Sequence, residues 1–374
     1  MIYFDNAATG GFKPNSVFES VETALKYISA NPGRSAHRLS IAGAKAVYEC
    51  RETLAQFFQS SPERVVFTKN CTEALNLAIM GSLKIGGQVI CSAYEHNSVL
   101  RPLFTLKEKG LIDVEVVFPE KNKCISQSIE EKITEKTYMI VCTAISNLTG
   151  EILPIKKIGK IARKHNLLFL VDGAQGGGHI PLSLKDDNIN MLSLAGHKGL
   201  YGIMGTGALI FDENTNLSPL ICGGTGTEST NLLQPLSFPE RLEAGTLNLP
   251  GIMALNSGAK YVINNMSNFA SHLIESTERM ISAFKEIDKI TVYSKPNPAG
   301  IVSFTVEDIP SSDLSDLLNS DYDIAVRGGL HCAPLAHKIF GTVNDGMVRA
   351  SFAVQNSFRE IDYAIKVIST IAKG

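Results

Sequence analysis

The chain has 374 residues, a formal net charge of −2 at pH 7 and 44% hydrophobic residues. Because a chain of this length exceeds what one hydrophobic core usually serves, we expect a large domain and a smaller one. The near-neutral charge gives no basic footprint for nucleic acid, and no apolar run approaches the ~20 residues that a membrane span needs. The composition therefore favours a globular protein whose partner is a small molecule.

The cysteines and the N-terminus bear on the compartment. Seven cysteines are scattered along the chain without any Cys-x-x-Cys pair, and this odd number argues against both a disulfide framework and a zinc site. Residues 2–4 are strand-like, and no basic segment followed by an apolar stretch precedes them, so we expect no signal peptide. A reducing cytoplasm fits these features best.

Short apolar runs alternate with helical patterns through the first two thirds of the chain. Continuous runs of this length are typical of strands buried on both faces, and the patterns between them predict amphipathic helices. The predicted strands are residues 65–67, 88–90, 114–118, 138–142, 167–171, 191–193 and 208–211, and examples of the predicted helices are 72–80 and 155–165. The sequence therefore predicts an α/β fold with a mostly parallel mixed sheet.

The pattern changes after residue 250. Two long helical patterns, at 252–265 and 271–287, are followed by predicted strands at 300–306 and 347–352 and by a final helix from about Ser357. We interpret this region as a small C-terminal α/β domain. The expected division is a large domain over residues 14–250 and a small domain formed by residues 1–13 and 251–374.

An acid and a lysine stand near two predicted strand ends of the large domain. Asp172 closes the strand predicted at 167–171, and Lys198 lies in the glycine-rich stretch 193–207. A lysine amine can form a Schiff base with the aldehyde of pyridoxal 5'-phosphate (PLP), and a carboxylate can hold the pyridine nitrogen protonated, so that the ring accepts electrons. Taken singly, Lys198 is better explained as a solvated loop residue and Asp172 as a helix N-cap.

The sequence around this pair changes that interpretation. Short sequence motifs follow one another along nearly the whole chain, at residues 3–9, 71–76, 95–96, 146–147, 172–175, 196–198, 241–246, 327–334 and 349–352. Together they resemble the class V aminotransferase family and, within it, the branch of cysteine desulfurases and selenocysteine lyases. The resemblance implies the PLP-dependent transferase fold type I.

The resemblance also implies which residues hold the cofactor. Lys198 carries PLP, Asp172 binds the ring nitrogen, and His96 stacks on the ring and can shuttle a proton. The other cofactor-binding residues that it implies are Cys71, Thr72, Asn147, Gln175, His197, Gly245 and Thr246. Cys71 and Thr72 would meet the phosphate at a helix N-terminus, where backbone amides favour an anion. The alternative is that Thr72 simply N-caps that helix.

Two positions bear on the phosphate site in particular. Ala195 stands where the family usually has a serine, so one phosphate hydrogen bond is expected to be missing or replaced. Gly245 and Thr246 resemble residues that reach across a dimer axis to the phosphate of the neighbouring subunit. The resemblance therefore implies a homodimer with a shared active site.

Arg349 is the candidate that would bind the substrate carboxylate. A planar guanidinium can grip an α-carboxylate through two hydrogen bonds, whereas the alternative for an arginine after a strand is a surface ion pair. The word around Arg349 resembles the carboxylate-binding site of the family. The further substrate-binding residues that the resemblance implies are Asn6, Ala8, His37, Asn147 and Arg327.

Cys332 lies in a glycine-bent loop with His331 adjacent and Arg327 nearby, a setting that can favour the reactive thiolate. In the desulfurases that the chain resembles, the cysteine at this position takes the substrate sulfur as a persulfide, and His37 matches the histidine near that sulfur. The carboxylate-binding arginine follows only 17 positions later, which resembles the short loop of the SUF-type branch. The alternative for Cys332 is a packed, inert thiol.

The resemblance thus implies removal of sulfur or selenium from L-cysteine or L-selenocysteine, leaving L-alanine. Lys198 would abstract the α-proton, and Cys332 would take the sulfur, which a sulfur-acceptor protein would then collect. The alternatives are a transaminase, or a C–S lyase or selenocysteine lyase without a protein persulfide. A degenerate PLP-fold protein that acts only as a partner is disfavoured by the intact set of Lys198, Asp172 and Arg349. The residues do not distinguish cysteine from selenocysteine.

Overall fold

The computed structural model describes residues 1–33 and 35–374. Within them, the strands are β1 (Ile2–Tyr3), β2 (Val65–Thr68), β3 (Gln88–Ser92), β4 (Asp113–Val117), β5 (Thr137–Thr143), β6 (Leu168–Asp172), β7 (Met191–Ala195), β8 (Gly207–Phe211), β9 (Ile290–Val292), β10 (Ile301–Val306), β11 (Ile324–Ala325) and β12 (Val348–Ser351). The helices are α1 (Asn15–Lys26), α2 (Arg38–Phe58), α3 (Cys71–Gly81), α4 (Asn97–Glu108), α5 (Ile125–Glu131), α6 (Ile155–Lys164), α7 (Leu249–Lys285), α8 (Ser311–Tyr322), α9 (Pro334–Phe340) and α10 (Phe358–Lys373).

A seven-stranded sheet forms the centre of the molecule, in the order β2-β8-β7-β6-β5-β3-β4. The five strands from β7 to β4 are parallel, and β8 pairs antiparallel with both β2 and β7. Along β5, Met139 and Val141 pack into one hydrophobic cluster and Ile140 and Cys142 into another, because successive side chains of a strand point to opposite faces. A sheet covered on both faces explains the continuous apolar runs in the sequence.

The parallel strands bring their carboxyl ends to one edge of the sheet. Ser92 closes β3, Thr143 closes β5 and Asp172 closes β6, and Thr143 pairs directly with Asp172 in the ladder. In an open α/β sheet, ligands bind in the crevice beyond these ends. The predicted strands of this sheet and its mostly parallel character are confirmed, with boundaries that shift by one or two residues.

The C-terminal region corrects one prediction. The two helices predicted at 252–265 and 271–287 are a single helix, α7, of 37 residues. The polar stretch at 264–268 resembles a break, but it contains neither proline nor glycine, so nothing in it stops the backbone hydrogen bonds of a helix. The N-terminal half of α7 packs into a core beside the central sheet, and its C-terminal half packs into a separate core.

That separate core belongs to a second α/β layer. Strands β12, β10 and β9 form an antiparallel sheet in that order, and β1 pairs with β11. Phe4 is fully buried in this core, and Ser351 N donates to Phe4 O, so the N-terminal segment runs beside β12. The division at residues 13/14 and 250/251 stays a prediction. No helix of the described residues is long and apolar enough to cross a membrane.

Candidate active site

Asp172 and Lys198 lie at the carboxyl ends of two neighbouring parallel strands: Asp172 closes β6, and Lys198 follows the last residue of β7 by three positions. Asp172 is 3% exposed, and its Oδ1 accepts hydrogen bonds from the backbone N–H of Ala174 at 2.9 Å and from the Cys71 thiol at 3.4 Å. Its Oδ2 accepts no hydrogen bond from the described residues, so it is the oxygen left for a ligand. Burial lowers the pKa of Lys198, and the Asp172 charge opposes that shift. The pair predicted from the sequence is thus brought together.

Cys71 is the first residue of α3 and contacts Asp172 rather than solvent. Burial raises the pKa of its thiol well above the usual value, and the Asp172 charge raises it further, so Cys71 stays protonated and donates its S–H. Asn70, and not Thr72, N-caps α3, because the Asn70 Oδ1 accepts from Glu73 N at 2.9 Å. The capping alternative for Thr72 is therefore wrong, and its exposed hydroxyl lies at a helix N-terminus suited to an anion.

Ser98 joins the first turns of α3 and α4, a role that sequence reasoning missed. Its Oγ lies 2.8 Å from Thr72 Oγ1 and 2.9 Å from His96 Nδ1. His96 N-caps α4 by accepting from Ser98 N at 3.0 Å, and burial lowers the pKa of this imidazole to about 4. The only sequence signal for Ser98 is a hydroxyl two residues after a histidine at a helix start.

His197 directly precedes Lys198 in the chain and contacts the N-terminal segment. Its Nδ1 is 3.0 Å from Thr9 Oγ1, its carbonyl accepts from Lys13 Nζ at 3.1 Å, and burial lowers its pKa to about 4. Burial also lowers the pKa of Lys13 to about 8. Ala195 pairs through its backbone with Gly207, and its methyl group packs in the core, so this position offers no polar side chain.

Gln175 and the N-terminal segment line a small cavity together with Lys198. Gln175 Nε2 donates to Ala7 O at 2.8 Å, while its buried Oε1 has no partner in the described part of the chain. Asn6 is engaged within its own neighbourhood, because its Nδ2 donates to Ser351 O and its Oδ1 accepts from Gly11 N. Ala8 donates its backbone N–H to Asp5 O at 3.1 Å. The Asn6 side chain and the Ala8 backbone N–H are therefore both engaged within the chain, and their role in substrate binding stays a prediction.

Arg349 is 1% exposed, so it is not the surface ion pair that was the alternative. Its Nη2 pairs with Asp5 Oδ1 at 2.9 Å, its Nη1 donates to Asn147 O at 2.9 Å, and its Nε has no partner among the described residues. Burial lowers the pKa of Arg349 while Asp5 opposes that shift. Its backbone pairs with that of Arg327. The Asp5 partner was not foreseen from the sequence.

Cys332 is exposed on a bent loop beside the strand ends. Cys332 and His331 have φ of 56° and 49°, in the left-handed region that L-residues rarely adopt. Two bonds hold this conformation, because Asn97 N donates to Cys332 O and Asn147 Nδ2 donates to His331 O, each at 2.8 Å. The packed-thiol alternative is therefore wrong.

His331 does not act on Cys332 as the sequence suggested. It is 3% exposed, its Nε2 donates to Met347 O, and burial lowers its pKa to about 2, so the imidazole is neutral. A neutral ring supplies no positive charge that would favour a thiolate. The expectation that His331 promotes the reactive form of Cys332 is therefore corrected.

His37, Gly245 and Thr246 lie apart from the residues described so far. His37 N-caps α2, and in the part of the chain that the structure describes no hydrogen bond joins it to the other predicted site residues. Gly245 and Thr246 are exposed and line two neighbouring surface grooves. Their segment is anchored by the buried ion pair between Glu243 and Arg51.

Comparisons with known proteins agree with this arrangement. The family model for class V aminotransferases matches residues 2–364. A probable cysteine desulfurase of Methanothermobacter thermautotrophicus is 33% identical, over 99% of this chain and 94% of its own. One of Pyrococcus abyssi is 31% identical, over 100% of this chain and 95% of its own.

Solved structures match over the same extent. The apo cysteine desulfurase of Thermococcus onnurineus NA1 has a TM-score of 0.93 and 32% identity, covering 100% of this chain and 95% of that one. The cysteine desulfurase CsdA of Escherichia coli has a TM-score of 0.89, but at 24% identity, over 99% of this chain and 94% of its own, it supports the fold alone. These matches confirm the expected fold, the PLP-dependent transferase fold type I.

Proposed function

The chain belongs to the class V aminotransferase family, and on this premise we propose that it is a PLP-dependent cysteine desulfurase, which removes sulfur from L-cysteine and leaves L-alanine. One observation carries the proposal: the loop of the exposed Cys332 is bonded to Asn147 and to the residue after His96, at the same strand ends as Lys198 and Asp172. Relatives with the names of probable cysteine desulfurases support the substrate class.

The strand-end crevice fits PLP in three ways. Thr72 and Ser98 present hydroxyls at the N-termini of two helices, where a phosphate dianion is stabilised. Asp172 keeps one carboxylate oxygen free for a protonated ring nitrogen. Gln175 has a buried oxygen that lacks a donor, which costs ~1–3 kcal/mol unless a ligand or water supplies one.

Lys198 would move the proton. When bound, PLP supplies an electron sink for negative charge at the substrate Cα. The pKa of Lys198 is lowered by burial, so more of its amine is neutral, and a neutral amine can bond to a carbonyl carbon or accept a proton from Cα. His96 would lie against the ring as a neutral imidazole, since burial lowers its pKa to about 4.

Arg349 would bind the substrate carboxylate. The Asp5 carboxylate and the Asn147 carbonyl fix the plane of its guanidinium and leave Nε–H without a partner. A second carboxylate can then bind the remaining N–H groups, and the bond to Asp5 keeps the guanidinium in the orientation that this binding requires. Asp5 is thus a positioning residue for Arg349.

Cys332 would take the sulfur. Its thiolate Sγ forms a bond to the substrate sulfur while the C–S bond of the substrate breaks, and the electron pair of that bond stays on carbon. Protonation of this carbon gives alanine, and the protein retains a persulfide on Cys332. Because Cys332 is exposed, a sulfur-acceptor protein can reach this sulfur. The short span to Arg349 leads us to place the chain in the SUF-type branch.

The functional unit that we propose is a homodimer. His37 and Thr246 are exposed, and Leu232, in the segment between β8 and α7 that also contains Thr246, is 100% exposed. A second copy that covers this surface would receive Thr246 at its phosphate site and His37 near its Cys332. Each active site would then contain residues of both subunits.

Product analysis tests the proposed activity. The purified protein is incubated separately with L-cysteine, L-selenocysteine and L-alanine, and alanine and pyruvate are measured. We expect alanine from L-cysteine and no pyruvate from L-alanine. Pyruvate from L-cysteine would identify a lyase, and pyruvate from L-alanine a transaminase.

Two cysteine variants test the persulfide. Cys332→Ala should abolish alanine formation from L-cysteine and spare much of the turnover of L-selenocysteine, because the weaker C–Se bond can break without a thiol. Cys222→Ala is the matched control, since Cys222 is the other exposed cysteine. Mass spectrometry after L-cysteine should add about 32 Da, one sulfur, to the peptide that contains Cys332. Full turnover by Cys332→Ala, or the added sulfur on Cys222, would overturn the assignment.

A further inference from the structure

Glu95 is a buried acid that the proposed reaction does not use. It is 0% exposed and lies in the turn between β3 and α4. Its Oε1 accepts hydrogen bonds from Ser92 Oγ and from Thr143 N, the latter at 2.8 Å. Both donors are neutral, and Oε2 has no partner in the described part of the chain. A fully buried carboxyl with such neighbours requires an explanation.

The Glu95 carboxyl takes the place of a backbone acceptor that β3 does not supply to β5. The ladder between β3 and β5 ends at Cys91 and Val141, so the N–H of Thr143, two residues further, has no backbone partner in β3. Glu95 Oε1 takes that place, and on its other side Thr143 pairs with Asp172 in β6. The Glu95 side chain thus joins the ends of two strands beside Asp172.

The surroundings of Glu95 decide its charge. Burial raises its pKa to about 8, and the Asp172 charge adds to the shift. The titratable groups that face it are Asp172 on β6, Cys91 on β3 and Cys142 on β5, and both thiols stay protonated because burial raises their pKa. An ionised Glu95 would leave a charged oxygen without a donor, which is far more costly than a buried neutral acid. Glu95, Cys91 and Cys142 then add no negative charge beside Asp172.

We propose that Glu95 is a positioning residue of the site that would hold the PLP ring. It acts there as a neutral carboxylic acid that fixes the ends of β3 and β5. In this way it sets the positions of His96 and Asp172. His96 directly follows Glu95 in the chain, and Asp172 is the ladder neighbour of Thr143. The inference rests on the proposed function, because His96 and Asp172 act there on bound PLP.

Two variants of the full chain test this role, with and without PLP. Glu95→Gln keeps the shape and the Oε1 acceptor but cannot ionise, and Glu95→Ala removes the link to Thr143. The matched control is Glu115→Gln on the neighbouring strand β4, where the acid pairs with Lys132. The measurements are urea unfolding of the PLP-free protein between about pH 6 and about pH 9, PLP dissociation, and circular dichroism of the bound cofactor in the visible range.

The expected results follow from the neutral acid. The native state of the wild type holds a proton that the unfolded state releases above about pH 4.5, so its free energy of unfolding falls as the pH rises towards about 8, more than that of Glu95→Gln. At neutral pH, Glu95→Gln should retain PLP as the wild type does. Glu95→Ala should lose PLP roughly 10–100-fold faster, the range seen when outer partners of metal ligands are removed, with altered visible circular dichroism.

Each opposite result overturns the proposal. Equal pH dependence of unfolding in the wild type and in Glu95→Gln would mean that Glu95 is not a neutral acid. Loss of PLP from Glu95→Gln at neutral pH would mean that the charge is required. Normal retention and circular dichroism in Glu95→Ala would mean that Glu95 positions nothing at the ring. A protein that never binds PLP would refute the proposed function instead, and the PLP-free unfolding data would still report the protonation of Glu95.

Discussion

Two sides of the site differ in how completely one chain builds them. On the sheet side, Asp172, Gln175 and Arg349 are at most 3% exposed, and each has a bonded partner within the chain. On the open side, formed by His37 and the loop that contains Leu232 and Thr246, apolar and polar side chains lie in solvent. The groups that must be held rigidly are those that the core packs, whereas the open side is the surface on which we propose that a second copy of the chain completes the site.

The largest effect should come from the sheet side. Lys198→Ala removes the amine that we expect to hold PLP and to move the α-proton, so the rate of alanine formation should fall at least ~10⁴-fold, the upper range for loss of general acid–base catalysis. Steady-state turnover of L-cysteine measures this loss, and Lys84→Ala, at an exposed lysine, is the control. Substantial residual turnover in Lys198→Ala would remove this lysine from the mechanism.

The sheet side was largely predictable because its residues follow local signals. A strand end followed by Asp172, or a glycine-rich turn around Lys198, can be found within a short window of sequence, and the sheet then brings such ends together. Asp5 was missed because its partner Arg349 lies 344 residues away, and Ser98 because a hydroxyl at a helix start is common. The neutral state of His331 follows from burial, which the sequence around Cys332 does not indicate.

The second-largest effect should come from the buried ion pair that anchors the Thr246 segment of the open side. Glu243, three residues before Thr246, forms a buried ion pair with Arg51. Removing one partner leaves an uncompensated buried charge, so Arg51→Met should lower the free energy of unfolding by ~3–5 kcal/mol. Lys260→Met breaks an exposed pair with Glu49 and should cost at most ~1 kcal/mol. Urea unfolding compares the two variants. Equal losses of unfolding free energy would show that the buried ion pair stabilises the fold no more than an exposed one.

The open side should contribute less to cofactor binding. If Thr246 donates to the phosphate of the other subunit, Thr246→Ala should weaken PLP retention by ~1–3 kcal/mol, the value of a hydrogen bond to a charged group. Thr370→Ala, at an exposed position on α10, is the control. Equilibrium dialysis measures retention, and sedimentation measures assembly. A stable monomer that holds PLP fully and turns over L-cysteine would contradict the shared site.

The smallest effect is the pH dependence of the free energy of unfolding that His331, on the sheet side, produces. The pKa of His331 is about 2 in the folded state and about 6.5 in the unfolded state, so the unfolded state binds the proton first as the pH falls. Stability is therefore lost on acidification below about pH 6.5, by about 1.4 kcal/mol per histidine at pH 5.5. His331→Gln should lose that much less than the wild type between about pH 7 and about pH 5.5 in urea unfolding. Equal losses would show that His331 is not buried as a neutral ring.

Borohydride reduction followed by peptide mapping tests the central claim most directly, because it asks which side chain holds the cofactor. The PLP-loaded protein is reduced, digested and analysed by mass spectrometry for a pyridoxyl group. We predict that this group is found on Lys198 alone, beside Asp172 at the end of β6. A pyridoxyl group on Lys13 instead, the other lysine of the site whose pKa burial lowers, would contradict the assignment and the mechanism built on it.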